Sequence, residues 1–328
     1  MLSFGCRNCL VVRSTCTMRT CSTFVLSFFL VCFQSFANAK NTLPTFAGPA
    51  MGTTYRVTLK AHISDKPIGE VHRQIDQLLQ QIDLSLSTWR DDSLVTKINR
   101  AQAHTPIPLD LHLTNALGIA GRLYQKTQGR FDITAAPLIQ WWKDADVAHS
   151  SHSTRRHHSV PPPEVLELVG FNHLLIEKAG DSAYPTLQKK HTAAALDFSG
   201  MGAGYAVDQI GETLVSLGST AHLVELGGEI RAWGQPSLVE EWHVALRTTK
   251  TKPPDIIVLR HGQAVAVSRS VKGKRIVDPK TGEIVKLSSS VPAVVAYAET
   301  CAEADALATA HVLDGIRKET QAASSGIR

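Results

Sequence analysis

The chain has 328 residues, 43% of them hydrophobic and 19% charged, enough apolar side chain for a sizeable core, which excludes disordered, collagen-like and multi-span membrane classes. Its formal net charge is +5. Three of the positive charges, Arg7, Arg13 and Arg19, stand in a leading segment without acids, so the remainder carries only +2 and a nucleic-acid partner held by bulk charge is not expected.

The first 39 residues differ in kind from the rest. Basic residues up to Arg19 precede an apolar stretch from Phe24 to Phe33 and then Ala37-Asn38-Ala39, a small-x-small cleavage pattern. Residues 1–39 therefore read as a secretory signal cut before Lys40, with Met18-Arg19 offering a second start of ordinary leader length. The apolar stretch falls short of the ~20 residues that a spanning helix needs. Cys32 follows Val31 and not a small residue, which argues against a lipoprotein anchor. Export of this kind places the mature chain in the periplasm. Five of the six cysteines lie in the leader, so Cys301 stands alone in the mature chain and reads as a buried structural thiol.

From Lys40 to Arg328 a single α+β domain is expected, with a mostly antiparallel sheet, packed helices and a ligand cleft. Thr53 to Leu59 alternates as a strand, and Ile68 to Ile82 has apolar residues at helical spacing. Asp110 to Thr127 reads as a helix ended by Gly129. Ala148 to Pro163 reads as a loop. Its His149, His152, His157 and His158 share no helical face, and Arg155 and Arg156 would repel a cation, so a solvated insertion is the expectation. Ala194 to Phe198 reads as a short strand entering a glycine turn, with a helix over Tyr205 to Leu217 closed by Gly218. Strands then follow at His222–Leu226, Glu229–Trp233, Trp242–Arg247, Ile256–Arg260, Ala264–Ser268 and Val291–Ala298, before a helix over Ala302–Leu313. Trp141 and Trp142, after Pro137, read as core and surface of a short helix.

Several motifs carry chemistry, each with two readings. Gly200, Gly202 and Gly204 sit between strand and helix, where bare backbone N–H groups and the helix dipole can take a phosphate, and where small residues also serve close packing. Asp305 and Thr309 are four apart on the last helix, so their oxygens share a face and suit Mg²⁺; the alternative is a solvent-facing or capping Asp305. Asp278 to Gly282 is a turn by composition. Glu225-Leu226-Gly227-Gly228-Glu229 is a hairpin or a place where a ligand meets the backbone.

In this order the motifs Met51-Gly52-Thr53, Ser87-Thr88-Trp89 with Asp92-Ser93 and Asn99, Gly129 to Thr134 with Pro137-Leu138, Asp197 to Asp208, Glu225 to Gly234, Ile276 to Gly282 and Ala304 to Ala310 resemble the ApbE family of periplasmic flavin transferases. The resemblance runs from about Leu43 to Gly315. It implies a protein that takes FAD as substrate, with Mg²⁺, and moves the FMN moiety to a Ser or Thr hydroxyl of an acceptor flavoprotein, such as a subunit of a membrane redox complex, releasing AMP. It further implies that Met51, Trp89, Arg130, Phe131, Asp132, Asp197, Ala203 and Val277 line FAD, and that the Gly200 carbonyl, Asp305 and Thr309 hold the metal.

The sequence also departs from the family pattern. Arg275 stands where the family usually has a His able to take the acceptor's proton, which a guanidinium cannot do at neutral pH. Ala266 to Ser270 has lost a Thr and a Gly, Trp89 stands for a common Tyr, Ala203 replaces a frequent Lys or Glu, and the chain after Gly315 is short. Two readings follow: a transferase in which Arg275 steers acceptor or phosphate and Asp278 helps with the proton, or an FAD-binding carrier or assembly factor that has lost transfer.

Overall fold

A computed structural model of the protein describes residues 43–60, 63, 66–150, 160–178, 184–234, 241–246, 253–269, 276–285 and 293–325. The expected leader, His152, His157 and His158, and Arg275 lie outside the described residues.

Alternation of inward and outward side chains builds the main sheet. In β2 (Thr53–Leu59) Tyr55, Val57 and Leu59 are buried. It forms a hairpin with β1 (Thr45–Ala50), in register Ala50 to Thr53. The short strands β3 (Ile107–Pro108), β4 (Leu174–Glu177) and β5 (Thr186–Lys189) make a separate three-stranded sheet in the order β3-β5-β4. β6 (His222–Leu226) and β7 (Glu229–Trp233) form the next hairpin, followed by the β8 (Trp242–Leu246) and β9 (Asp255–Leu259) pair. β10 (Ala264–Arg269), the small β11 (Ile276–Val277) and β12 (Ile284–Val285) hairpin, and β13 (Ala293–Ala298) complete the set. The main sheet runs β1-β2-β6-β7-β10-β13, antiparallel at every step.

Helices cover one face of that sheet. α1 (Ile68–Leu86) buries Val71, Ile75, Leu79, Ile82 and Leu86 at three- and four-residue spacing. α2 (Leu94–Arg100) and α3 (Leu111–Lys126) follow; the Asp110 carboxylate caps α3 by accepting from Leu113 N at 2.8 Å. α4 (Ala136–Ser150) and the single turn α5 (Pro163–Leu166) precede α6 (Gly202–Ser216) and α7 (Cys301–Ser325). Val224, Leu226, Ala264 and Ala266 meet the helices, while Ile230, Ala232, Val265 and Val267 meet Trp242, Val244, Leu246 and Leu259 on the other face. Cys301 is fully buried, as expected, and burial pushes its thiol pKa up.

Four expectations need correction. Ala194 to Phe198 is not a strand, because its hydrogen bonds go to a side chain: Asn99 Nδ2 donates to Leu196 O at 2.9 Å, and Leu196 N donates to Asn99 Oδ1 at 2.8 Å. α4 continues through Ser150, so the first three residues of the expected loop, His149 among them, are helical. α7 starts at Cys301 and continues past Leu313 to Ser325. Trp141 and Trp142 are both half-buried and packed edge to face 4.7 Å apart; the Asp278–Gly282 turn covers Trp142, Gly282 O accepting from its Nε1 at 2.8 Å.

α6 and α7 cap one another across the core. The N-cap Met201 of α6 offers no side-chain acceptor, and Asp305 of α7 supplies one, its Oδ2 accepting from Gly204 N at 3.2 Å. In return Asp208 of α6 accepts from Cys301 N at 2.8 Å and Ala302 N at 2.9 Å, the first two N–H groups of α7. Two helix N-termini, each partly positive, thus share two carboxylates. Gly204 makes the approach feasible: a Cβ there would lie 2.3 Å from Cys301 O. Close packing is therefore its role.

His222 gives the fold a measurable acid response. It is fully buried, with Nδ1 2.9 Å from Ser219 Oγ and its ring stacked on Trp233 at 5.0 Å. Burial pulls its pKa from 6.5 down to about 4. Above pH 6.5 both folded and unfolded chains hold a neutral imidazole; below it only the unfolded chain takes up the proton. Stability should therefore fall as pH drops from 6.5 to 4, by roughly 3 kcal/mol at the order-of-magnitude level. In urea unfolding across that range, His222→Asn should show a shallower decline than wild type, and parallel profiles would count against this assignment.

Candidate functional site

A cavity of about 300 Å³ opens where the two capped helix starts meet the β1–β2, β6–β7 and β11–β12 hairpins. Met51, Arg130, Phe131, Asp132, Asp197, Gly200, Ala203, Val277, Asp305 and Thr309, all singled out from the sequence, line it together.

Local structure explains how each arrives. Met51 occupies the β1–β2 turn with φ 49°, a left-handed conformation costly for a side chain larger than glycine's, so its position is imposed by the hairpin. After α3, left-handed Gln128 and Gly129 reverse the chain, and Thr127 Oγ1 accepts from Phe131 N at 3.0 Å, which aims the Arg130-Phe131-Asp132 run at the cavity. Asp132 Oδ1 accepts from Thr134 N at 2.8 Å and Thr134 Oγ1 at 2.6 Å. Burial pushes the Asp132 pKa upward, and these two hydrogen bonds pull against the rise. Asp197 is fixed from both sides: its N donates to Ile133 O at 2.7 Å, and its Oδ1 accepts from Ser199 N at 2.7 Å.

Asp305 and Thr309 share a face as their spacing suggested, and Gly200, grouped with them by the resemblance, lines the same cavity. A Cβ on Gly200 would stand 3.1 Å from Phe131 Cε2 and 3.5 Å from Thr309 Oγ1, so the turn passes directly against the Thr309 hydroxyl. Asp305 is only 8% exposed, which removes the solvent-facing reading; it caps α6 and lines the cavity at once.

Two of the expected residues stand off this wall. Trp89 is 86% exposed with Lys143 Nζ 5.3 Å over its ring, and it borders two adjoining lobes of about 710 and 360 Å³. Those lobes share Asp197 and Ile139, and Met51, Ser199 and Ala203, respectively, with the main cavity. Asp278 is buried one residue behind the wall formed by Val277 and Pro279, its Oδ1 accepting from Lys280 N at 2.9 Å and so closing the expected turn. Arg275 lies outside the described residues.

Sequence reasoning passed over Glu229 and Ser268, which also line the cavity. The signal for Glu229 was the double glycine before it, which proves to be both hairpin and cavity wall. With Glu229 included, Asp132, Asp197, Glu229 and Asp305 face Arg130, the one cationic wall residue among those described. Such a wall repels a bare phosphate and accepts one accompanied by a divalent cation, for which a carboxylate, a hydroxyl and a backbone carbonyl are suitable hard donors.

These features define an α+β protein with one carboxylate-rich cleft suited to an anionic ligand bound together with a cation. The chain belongs to the ApbE family, whose sequence model matches residues 51–327. Similar proteins include the FAD:protein FMN transferase of Chlamydia pneumoniae, 31% identical over 86% of this chain and 88% of the relative. That of Haemophilus influenzae is 28% identical over 81% and 79%. Among solved structures, the apo flavinyl transferase ApbE of Pseudomonas stutzeri superposes with a TM-score of 0.67 at 30% identity, covering 83% of this chain and 84% of that one. The Vibrio cholerae flavin transferase ApbE gives 0.65 at 27% identity, covering 81% and 85%.

Proposed function

We propose that this protein is an exported FAD:protein FMN transferase, acting in the periplasm after removal of residues 1–39. FAD is the donor, and the acceptor is a flavoprotein carrying a Ser or Thr flavinylation motif, such as a membrane redox-complex subunit. The observation that carries this reading is the convergence of ten motif residues, scattered from Met51 to Thr309, on one cavity.

The acceptor hydroxyl oxygen bonds to the FMN phosphorus, the phosphoanhydride P–O bond breaks, and AMP leaves while the hydroxyl proton passes to a base. The Gly200 carbonyl, Asp305 and Thr309 would hold Mg²⁺, which supplies neutralisation of phosphate charge. Arg130, the cation on the wall, binds and orients a phosphate oxygen. Phe131 and Met51 give the cavity its apolar side and exclude water from the reacting phosphorus. Arg275 steers the acceptor or phosphate, and Asp278, beside Val277 and Pro279, assists proton removal.

Incubating the chain from Lys40 with FAD, Mg²⁺ and a flavoprotein acceptor tests this. The acceptor should gain the mass of an FMN moiety as AMP appears. Bound FAD with neither outcome would favour the carrier or assembly-factor reading, and free FMN with AMP but no mass gain would indicate hydrolysis.

Trp89 stacks on the isoalloxazine in this reading. Its ring is exposed, so Trp89→Ala should leave unfolding unchanged while weakening FAD binding by about 1–3 kcal/mol, roughly five- to 150-fold. Fluorescence titration reads this directly, and an unchanged affinity would rule out stacking there.

A further inference from the structure

Lys189 ends β5 with 1% of its surface exposed, and its ammonium uses all three donors on backbone carbonyls: Asn99 O at 2.8 Å, Thr192 O at 2.7 Å and Ala194 O at 2.8 Å. Burying an ammonium is costly unless every proton is matched. Burial pulls its pKa down to about 8, and three carbonyl dipoles aimed at Nζ oppose that shift. Lys189 itself lines neither the cavity nor its two adjoining lobes, so its expense needs another explanation.

The partners supply one. Asn99 lies in the last turn of α2, where backbone carbonyls lack helical partners and a cation is favoured. The same Asn99 grips Leu196 through both ends of its side-chain amide. Thr192 and Ala194 belong to the irregular strap leading to Leu196, and the next residue is the cavity carboxylate Asp197. We infer that Lys189 is a positioning residue for the FAD site: its ammonium ties the end of α2 to the Thr192–Leu196 strap and so fixes Asp197 on the cavity wall. No strand ladder holds this strap; beside the Ala103 N–Thr192 Oγ1 and Asp197 N–Ile133 O hydrogen bonds, these side-chain ties set its course.

The inference rests on the FAD reading above, and its test separates the two. FAD affinity is titrated for wild type, Lys189→Met, Asp197→Ala and the double variant, and backbone hydrogen exchange is followed in the ligand-free proteins. Lys189→Met should weaken FAD about tenfold and speed exchange over residues 192–199, with α1 and α3 unchanged. In the Asp197→Ala background the same change should add less than about twofold, because both substitutions act on one contact. Full additivity, or wild-type affinity in a folded Lys189→Met protein, would overturn the inference. Should the Met variant not fold, Lys189→Gln, which keeps two donors on a shorter stem, should weaken FAD about threefold, and wild-type affinity there would equally overturn it. If wild type itself binds no FAD, the FAD reading fails, and exchange over 192–199 still decides whether Lys189 holds the strap.

Discussion

Asp305→Ala should reduce divalent-cation-dependent FMN transfer at least about 100-fold in kcat/KM, equivalent to roughly 2.7 kcal/mol of transition-state stabilisation. Asp305 does two jobs from one carboxylate, lining the cavity and accepting from Gly204 N at the start of α6. Alanine removes both and leaves a buried N–H without that acceptor, a further cost of about 1–3 kcal/mol in unfolding. Asp305→Asn separates the two jobs, since an amide oxygen still accepts from Gly204 N while the charge is gone. The Asn variant should unfold close to wild type yet show the same loss of turnover. Measuring turnover against Mg²⁺ concentration beside urea unfolding checks both halves, and wild-type turnover in either variant would remove the metal assignment.

The parts of the fold legible in the sequence are those governed by local pattern. Strands β2, β6 and β7 fall where alternation put them, and α1 and α3 where apolar spacing and flanking Asp110 and Gly129 put them, while α6 starts at Gly202, inside the expected glycine turn, and ends before Gly218 as expected. The Asp305–Thr309 pair was legible because one helical turn guarantees a shared face. What escaped depends on partners distant in sequence. Ala194 to Phe198 has a strand's composition, but its partner is the amide of Asn99, 97 residues from Leu196. Glu229 gave no catalytic spacing, because the β6–β7 hairpin, and not a helix face, brings it to the cavity. The half-burial of Trp142 depends on the Asp278–Gly282 turn, 140 residues away at the Trp142–Gly282 hydrogen bond. Resemblance to the ApbE family gathered the wall residues that spacing alone could not, and it gave no hint of Lys189, whose work is indirect.

Asp208→Ala should be among the most destabilising single changes in the protein, by about 3–5 kcal/mol, because it breaks a buried pair and uncaps a helix together. Asp208 Oδ1 accepts from Arg231 Nη1 at 2.6 Å, and its two oxygens take the first two N–H groups of α7. Burial pushes its carboxyl pKa upward, while those N–H groups and the guanidinium hold the charged form in place. Removing the carboxylate leaves Arg231, itself largely buried on β7, facing two uncapped, buried helix donors of its own sign. Because α7 carries Asp305 and Thr309, the same change should displace that face of the cavity and lower transfer activity more than its distance from the cavity suggests. Adding Arg231→Met to Asp208→Asn should recover part of the stability, since the stranded cation is gone and the amide oxygen still accepts from one of the two α7 N–H groups. Urea midpoints for wild type, Asp208→Ala and Asp208→Asn/Arg231→Met should fall in the order wild type, double variant, alanine variant. An unfolding free energy for the alanine variant within about 1 kcal/mol of wild type would show that the start of α7 does not depend on the Asp208 carboxylate.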